Sequence, residues 1–389
     1  MSKKRLLTPG PTQVPEAARL ALARDVLHHR TPEFRALFAE ALEGLKEVFQ
    51  TRNDVVVLAS SGTGGMEAAV VNFAPRGSKV LVIEGGVFAE RWTHLCRAFG
   101  VEVVRHEIPW GRAADPSEVA ALLAKHPDAV AVFGTLMESS TGVAHDIEAL
   151  GRVVKATQAL FVVDGISGAG AIECRTDDWG VDVLVVGSQK ALMLPPGLAF
   201  LTISEAAWRR LEQHEPAAFY FNLNYYRKKL HGFAPGEGPD TPFTPASGLV
   251  AALVESVRIM RAEGMPAIWR RNCRLAAAMR AGVAAIGLEL FAARPADGMT
   301  AVCFPSSVDG GKFLKQLEAK FGIKLASGQL SLKGKIFRIA HFGLIDELDI
   351  LGTLAAIELT LIEFGCKVTL GTATAAASQV FSNLSHVDR

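Results

Sequence analysis

Charge of either sign is nowhere in excess in this sequence. Lysine and arginine number 41 against 40 aspartates and glutamates, a net charge of +1 over 389 residues. No basic stripe argues for a nucleic-acid partner, and no charged tail stands out. Also lacking is any run of about 18 uncharged apolar residues, the length a membrane-spanning helix needs. With 49% hydrophobic residues, the apolar surplus is expected in a large core or a subunit interface. The N-terminal stretch MSKKRLLTPGPTQVP is basic but has no apolar segment behind it, so no secretory signal is expected. The final SHVDR is not a peroxisomal address. Cysteine is sparse as well. The five residues Cys96, Cys174, Cys273, Cys303 and Cys366 are scattered and show no zinc-site spacing. Free thiols in a reducing cytoplasm are the expectation. No internal repeat of solenoid period is present.

What is present is an alternation of short apolar runs and helical patterns. Strands are predicted at 54–60, 78–84, 101–107, 129–135, 159–165, 181–187 and 198–204. Helices are predicted at 65–74, 87–100 and 146–158, with another starting at Asp115-Pro116. Such alternation implies an α/β fold with a mostly parallel sheet covered on both faces. In these sheets ligands sit beyond the carboxyl ends of the strands. Residues 217–246 are aromatic, then rich in proline and glycine, and read as a long ordered loop. A helix is expected from Ser247 to Ala262, and a smaller α+β part with two helices and short strands after it. The expected division is an arm at 1–15, a large domain at 16–263, a small domain at 264–370 and a tail, or loosely docked end, at 371–389.

Four strand-end features carry chemistry. SSGTGGMEAA (60–69) is a glycine-rich turn entering a helix, where backbone N–H groups and the helix dipole favour a phosphate. It is neither a P-loop nor G-x-G-x-x-G, and a plain tight turn would also read this way. Asp164 ends a buried strand and needs a positive or donating partner. A protonated pyridine nitrogen would serve, as would an N-cap or an ion pair. Lys190, in VLVVGSQKALMLPPGLAF, lies between apolar segments. There it either becomes a nucleophilic amine with a lowered pKa or reaches solvent along the surface. Arg338, in KIFRIAHFG, is either a bidentate carboxylate clamp or an edge-strand residue facing water. Taken together, these are the parts of a pyridoxal-phosphate enzyme acting on amino acids.

The sequence also resembles the class V (fold type I) aminotransferases of the alanine–glyoxylate / serine–pyruvate branch. The matching stretches are TPGPT near the start, VFQTRN (48–53), SSGTGGMEAAVVN, ESSTGV (138–143), VVDGISGAG (162–170), GSQKALMLPPGLAF (187–200) and FRIAHFG (337–343). The resemblance implies the fold type I transferase fold, with a seven-stranded-type sheet in the large domain. It implies pyridoxal 5'-phosphate as cofactor and a ping-pong transamination through a Schiff base on Lys190. Asp164 would pair with the pyridine nitrogen. Ser61, Gly62 and Thr63 fall on the phosphate turn, Gln189 on a further phosphate contact, and Ser139 near the ring hydroxyl. Phe88 takes the place of the aromatic stacked on the cofactor. Arg338 and Gly10 fall on the substrate side. Thr241 and Thr244 fall on a segment that the family donates to the partner subunit's phosphate, which implies a homodimer with shared active sites.

Other class V specificities share these motifs: serine–glyoxylate, ureidoglycine–glyoxylate, phosphonate and aspartate. A cysteine desulfurase would need a nucleophilic cysteine where LASGQLSLKGK has Ser327 and Gln329, and usually a histidine where Gln189 stands. A non-enzymatic accessory subunit would not need the lysine, the aspartate and the phosphate turn together.

Overall fold

A computed structural model describes residues 4–232 and 238–384. Its centre is a seven-stranded sheet. In spatial order the strands are Asp54–Ser60, Gly197–Ile203, Val183–Gly187, Leu160–Asp164, Ala129–Thr135, Lys79–Glu84 and Glu102–Glu107. Alternate side chains of these apolar runs point to opposite faces. Val55, Val57, Leu81, Ile83, Phe161 and Val163 enter one core, while Val56, Leu58, Val80, Val82, Phe133 and Val162 enter the other. Burial on both faces is why the runs are continuously apolar rather than alternating.

Gly197–Ile203 runs antiparallel to both neighbours; the remaining strand pairs are parallel. The reason is chain length. Residues 188–196 are fewer than the dozen or so that a parallel crossover needs. The short link also keeps Lys190 at the strand's carboxyl end, beside Asp164 on the next strand, whose register partner is Val185.

A second sheet holds Met299–Cys303, Ile336–Ala340 and Ala326–Ser327, with Ile336–Ala340 in the middle. The N-terminal arm reaches this region: Arg5–Leu6 pairs parallel with Ile323–Lys324, and Leu7 O accepts from Ala340 N at 2.8 Å.

Several elements differ from the sequence expectation. The helix after the glycine-rich turn spans Gly62–Phe73, so the turn is the helix's own first turn. Leu223–Leu230 is a helix within the stretch read as a loop, capped by the Asn222 side chain on Asn224 N at 3.0 Å. Residues 233–237 of that stretch lie outside the described residues. Among the described residues after 264 there are four α-helices rather than two: Met265–Ala285, Gly310–Phe321, Glu347–Glu363 and Thr372–Leu384.

The last of these corrects the reading of a tail. Ala373, Ala377 and Phe381 recur every four residues and form a buried stripe against the core of Leu275, Met279 and Leu354. The composition looked loose because it is small and polar, yet alanine is the best helix former. The carboxylate of Glu358, itself buried, accepts from Gly371 N at 2.9 Å and Ala373 N at 2.6 Å and so holds the helix start. Glu358→Ala is expected to destabilise the fold by about 1–3 kcal/mol, as two amides lose their acceptor. Urea unfolding followed by circular dichroism checks this. Residues 385–389 of the expected tail lie outside the described residues.

Candidate active site

Ser61, Gly62, Thr63, Phe88, Asp164, Gln189 and Lys190 surround one small cavity of about 100 Å³, together with Arg91, Met137, Ile166 and Ser167. It lies at the carboxyl ends of the central strands, as the topology requires. A larger cleft of about 700 Å³ lies elsewhere, between Glu263–Leu275 and Asp346–Leu348. Its Arg271 and Arg274 are already paired with Glu263 and Glu347.

Lys190 follows Gly187-Ser188-Gln189. The Ser188 hydroxyl accepts from Leu198 N at 3.2 Å and donates to Pro195 O at 2.8 Å, which fixes the turn. Apolar surroundings and the charges of Arg338 and Arg91 disfavour the ammonium, while Asp164 favours it. The balance lowers the Lys190 pKa to about 8, with burial the largest cause. The amine donates to Pro9 O. Gly10, with φ of 105°, lies against it: a Cβ there would strain the backbone and, at 2.4 Å from Lys190 Cδ, push the lysine side chain aside. Thr12 secures the approach, its hydroxyl donating to Lys190 O at 2.8 Å. The surface alternative for Lys190 is thereby overturned.

Asp164 is buried, and its Oδ1 accepts from Ile166 N at 2.8 Å. Burial pushes its pKa up to about 7; the nearby Glu138 adds to this, and Arg91 and Lys190 oppose it. No ion pair consumes the carboxylate among the described residues, which removes the ion-pair alternative.

Arg338 stands on the central strand of the second sheet and is 6% exposed, so it is not an edge residue facing water. Nε and Nη2 donate to Ser327 O at 3.0 and 2.7 Å, and Nη1 donates to Ser139 O. Of five donors, one hydrogen remains on each terminal nitrogen, the pair that a carboxylate takes. Burial lowers its pKa to about 10, still fully charged at neutral pH.

Ser139 is buried behind the cavity wall, its hydroxyl accepting from Ser167 Oγ at 3.3 Å. Thr241 and Thr244 do not line the Lys190 cavity of their own chain. They sit beside Phe38, Tyr220 and Phe243, with Thr244 exposed. The neighbouring Asp240 is held by Arg30 at 2.6 Å and Arg35 at 3.3 Å.

Sequence reasoning passed over Arg91 and Glu138. Arg91 Nη1 donates to Thr63 Oγ1 at 2.7 Å, and its guanidinium lies 5.1 Å from the centre of the Phe88 ring. The signal was its place three residues after Phe88, on the same helix face. Glu138 is the single charge in the stretch 129–144.

Residues 17–341 match the family model Aminotransferase class-V. A protein of Synechococcus sp. named soluble hydrogenase, small subunit, is 41% identical over 98% of this chain and 99% of its own. The L-aspartate–glyoxylate aminotransferase of Paracoccus denitrificans is 35% identical over 97% of this chain and 96% of its own. The serine–glyoxylate aminotransferase of Hyphomicrobium methylovorum is 34% identical over 97% and 94%. Among solved structures, pyridoxamine-pyruvate aminotransferase of Mesorhizobium loti superposes with a TM-score of 0.93 at 27% identity, covering 98% of each chain.

The chain belongs to the class V aminotransferases. It is a transaminase of the fold type I class, and its cofactor is pyridoxal 5'-phosphate.

The residues around the cavity fit that group. Ser61 occupies the N-cap position of Gly62–Phe73 yet makes no side-chain cap bond, which leaves its hydroxyl and the first helix amides for a phosphate. Gln189 Oε1 is buried without a partner. Asp164 and Lys190 supply an acceptor and an amine on adjacent strand ends.

Proposed function

We propose that the chain moves the amino group of a small amino acid, alanine or serine, to glyoxylate or pyruvate, with Lys190 as the catalytic residue. The observation that carries this reading is the pairing of an enclosed lysine with a buried aspartate across adjacent strand ends, within electrostatic reach of the buried Arg338. The glyoxylate acceptor is supported by the relatives named aspartate–glyoxylate and serine–glyoxylate aminotransferase.

When bound, pyridoxal 5'-phosphate supplies a carbonyl carbon that takes up an amine and a ring that draws electrons from the substrate's α-carbon. Ser61, Gly62, Thr63 and Gln189 would hold its phosphate, Phe88 would pack on its ring, and Ser139 would serve the side of the ring hydroxyl. Asp164 balances the charge on the ring nitrogen. Arg338 takes the substrate carboxylate through its two remaining hydrogens, with Gly10 leaving the approach open. Lys190 Nζ would take the proton from the substrate Cα as general base and hold it as an ammonium, the acid for the return transfer. Its lowered pKa keeps a useful fraction of the amine neutral near pH 8.

Rates for a panel of amino donors against glyoxylate, pyruvate and 2-oxoglutarate test the substrate assignment. Alanine or serine with glyoxylate or pyruvate is expected to lead, with parallel double-reciprocal lines. Aspartate with 2-oxoglutarate as the preferred pair would overturn it. Aspartate with glyoxylate is the second reading, favoured by the Paracoccus relative; the same panel separates it from the first.

Arg338→Lys is expected to raise KM for the amino donor by about 10²-fold, since lysine loses the planar fork and leaves the Ser139 and Ser327 carbonyls short of donors. Steady-state kinetics check this, with kcat less affected.

The reading includes a homodimer in which Thr241 and Thr244 complete the partner's phosphate site. Support comes from their position away from their own cavity, on a segment anchored at Asp240. Sedimentation equilibrium is expected to give about twice the chain's 41.5 kDa; a fully active monomer would contradict it. The reading also places the protein in the cytoplasm. Five unpaired cysteines support a reducing compartment.

A further inference from the structure

A buried carboxylate normally finds a cation. Glu138, which is wholly buried, is held instead by neutral donors. Its Oε2 accepts from Phe88 N at 3.2 Å and Ala89 N at 2.9 Å. Its Oε1 accepts from Ser140 N at 3.0 Å and Ser140 Oγ at 2.6 Å. The Ser140 hydroxyl in turn accepts from Val87 N at 3.1 Å. Two side chains from another segment thus take the first three amides of the helix Val87–Ala98. Its own N-cap position is Gly86, which has no side chain to offer. A Cβ at Gly86 would lie 2.6 Å from Glu138 Cδ, so glycine is what lets the carboxylate come this close. The helix dipole favours the negative charge there, against burial, which pushes the Glu138 pKa up.

The residue between the two, Ser139, faces the other way. Its carbonyl accepts from Arg338 Nη1, and its hydroxyl accepts from Ser167 Oγ. One tripeptide therefore fixes two walls of the cavity, the helix that carries Phe88 and Arg91 and the loop after Asp164, and behind them the guanidinium of Arg338.

We infer that Glu138 is a positioning residue: by capping the helix Val87–Ala98 from outside, it sets the Phe88 ring against the cofactor and, through Ser139, the Arg338 fork against the substrate carboxylate. This rests on the roles proposed above for Phe88 and Arg338. Glutamine at this position keeps the shape but turns an NH₂ group toward N–H donors on one side, which shifts either the helix start or Ser140.

The test is Glu138→Gln in the full chain. The dissociation constant for pyridoxal 5'-phosphate is measured by fluorescence titration without substrate. KM and kcat for the best amino donor of the parent follow on the loaded enzyme. Both the dissociation constant and KM are expected to rise roughly tenfold, equivalent to ~1.4 kcal/mol each, with kcat changing less. A lowered melting temperature with both constants at parent values would show a structural residue only and overturn the inference. Should Glu138→Gln not fold, Ser140→Ala carries the test. It frees Val87 N and leaves Glu138 Oε1 with the amide of residue 140 alone, and both constants are expected to rise in smaller measure; parent values there overturn the inference equally. The cofactor titration needs no assumption about substrate, so a different donor preference would sink the functional reading while leaving this comparison standing.

Discussion

Lys190→Ala is expected to lower turnover by at least ~10⁴-fold, the upper range for loss of a positioned acid–base group, with the fold intact. Among the described residues the cavity has no second amine to replace it: Arg91 is the other cation on its wall, and a guanidinium does not give up its proton. Alanine also removes the bond between Nζ and Pro9 O, but Thr12 still holds the Lys190 backbone through its carbonyl. The turn is expected to survive, and the phosphate turn at Ser61–Thr63 is untouched. Single-turnover mixing with alanine or serine, read by the cofactor's visible absorbance, measures the effect. Lys190→Arg separates charge from chemistry, since it keeps the cation and is expected to be equally inactive. Parent-like rates in either variant would remove Lys190 from the catalytic role.

Asp164→Asn ranks next. Replacing a charged partner of the ring nitrogen with a neutral amide is expected to cost about 10²-fold in kcat/KM, in line with the upper strength of a hydrogen bond to a charged group. Two pH effects accompany it. Asp164, pushed up to about 7 by burial, must lose its proton before it can balance a ring cation. Cofactor affinity of the parent is therefore expected to fall as pH drops through about 7, and the variant is expected to lose that dependence. The aspartate also favours the Lys190 ammonium, whose pKa is about 8. In the parent, the rate of cofactor capture by the cofactor-free chain rises with pH and levels off above about 8, as the neutral amine is the nucleophile. Without the negative charge the levelling point moves lower. Stopped-flow capture at a series of pH values reads both. A levelling point that stays put, or moves higher, would mean that the two side chains are not coupled.

The central sheet was legible because its strands are buried on both faces and so read as apolar runs, from Val55–Leu58 to Val183–Val186. Lys190 and Asp164 stood out for the same reason: each is a charge at the end of such a run. Thr372–Leu384 was not legible, because an alanine helix gains its order from a groove formed by Leu275, Met279 and Leu354 and from the distant Glu358 carboxylate. The pairs of Glu138 with Phe88 and of Arg338 with Ser139 join segments about 50 and 199 residues apart, which no local pattern records. Arg338 itself read as ambiguous, since a five-residue strand such as Ile336–Ala340 looks the same at a sheet's edge as at its centre.

Borohydride reduction of the cofactor-loaded protein, followed by peptide mapping in a mass spectrometer, tests the catalytic assignment most directly. Reduction makes the carbon–nitrogen bond between cofactor and protein permanent. The cofactor mass is expected on the peptide that contains Gln189-Lys190-Ala191 and on no other. Cofactor fixed to a different lysine, or to none, would contradict the site described here.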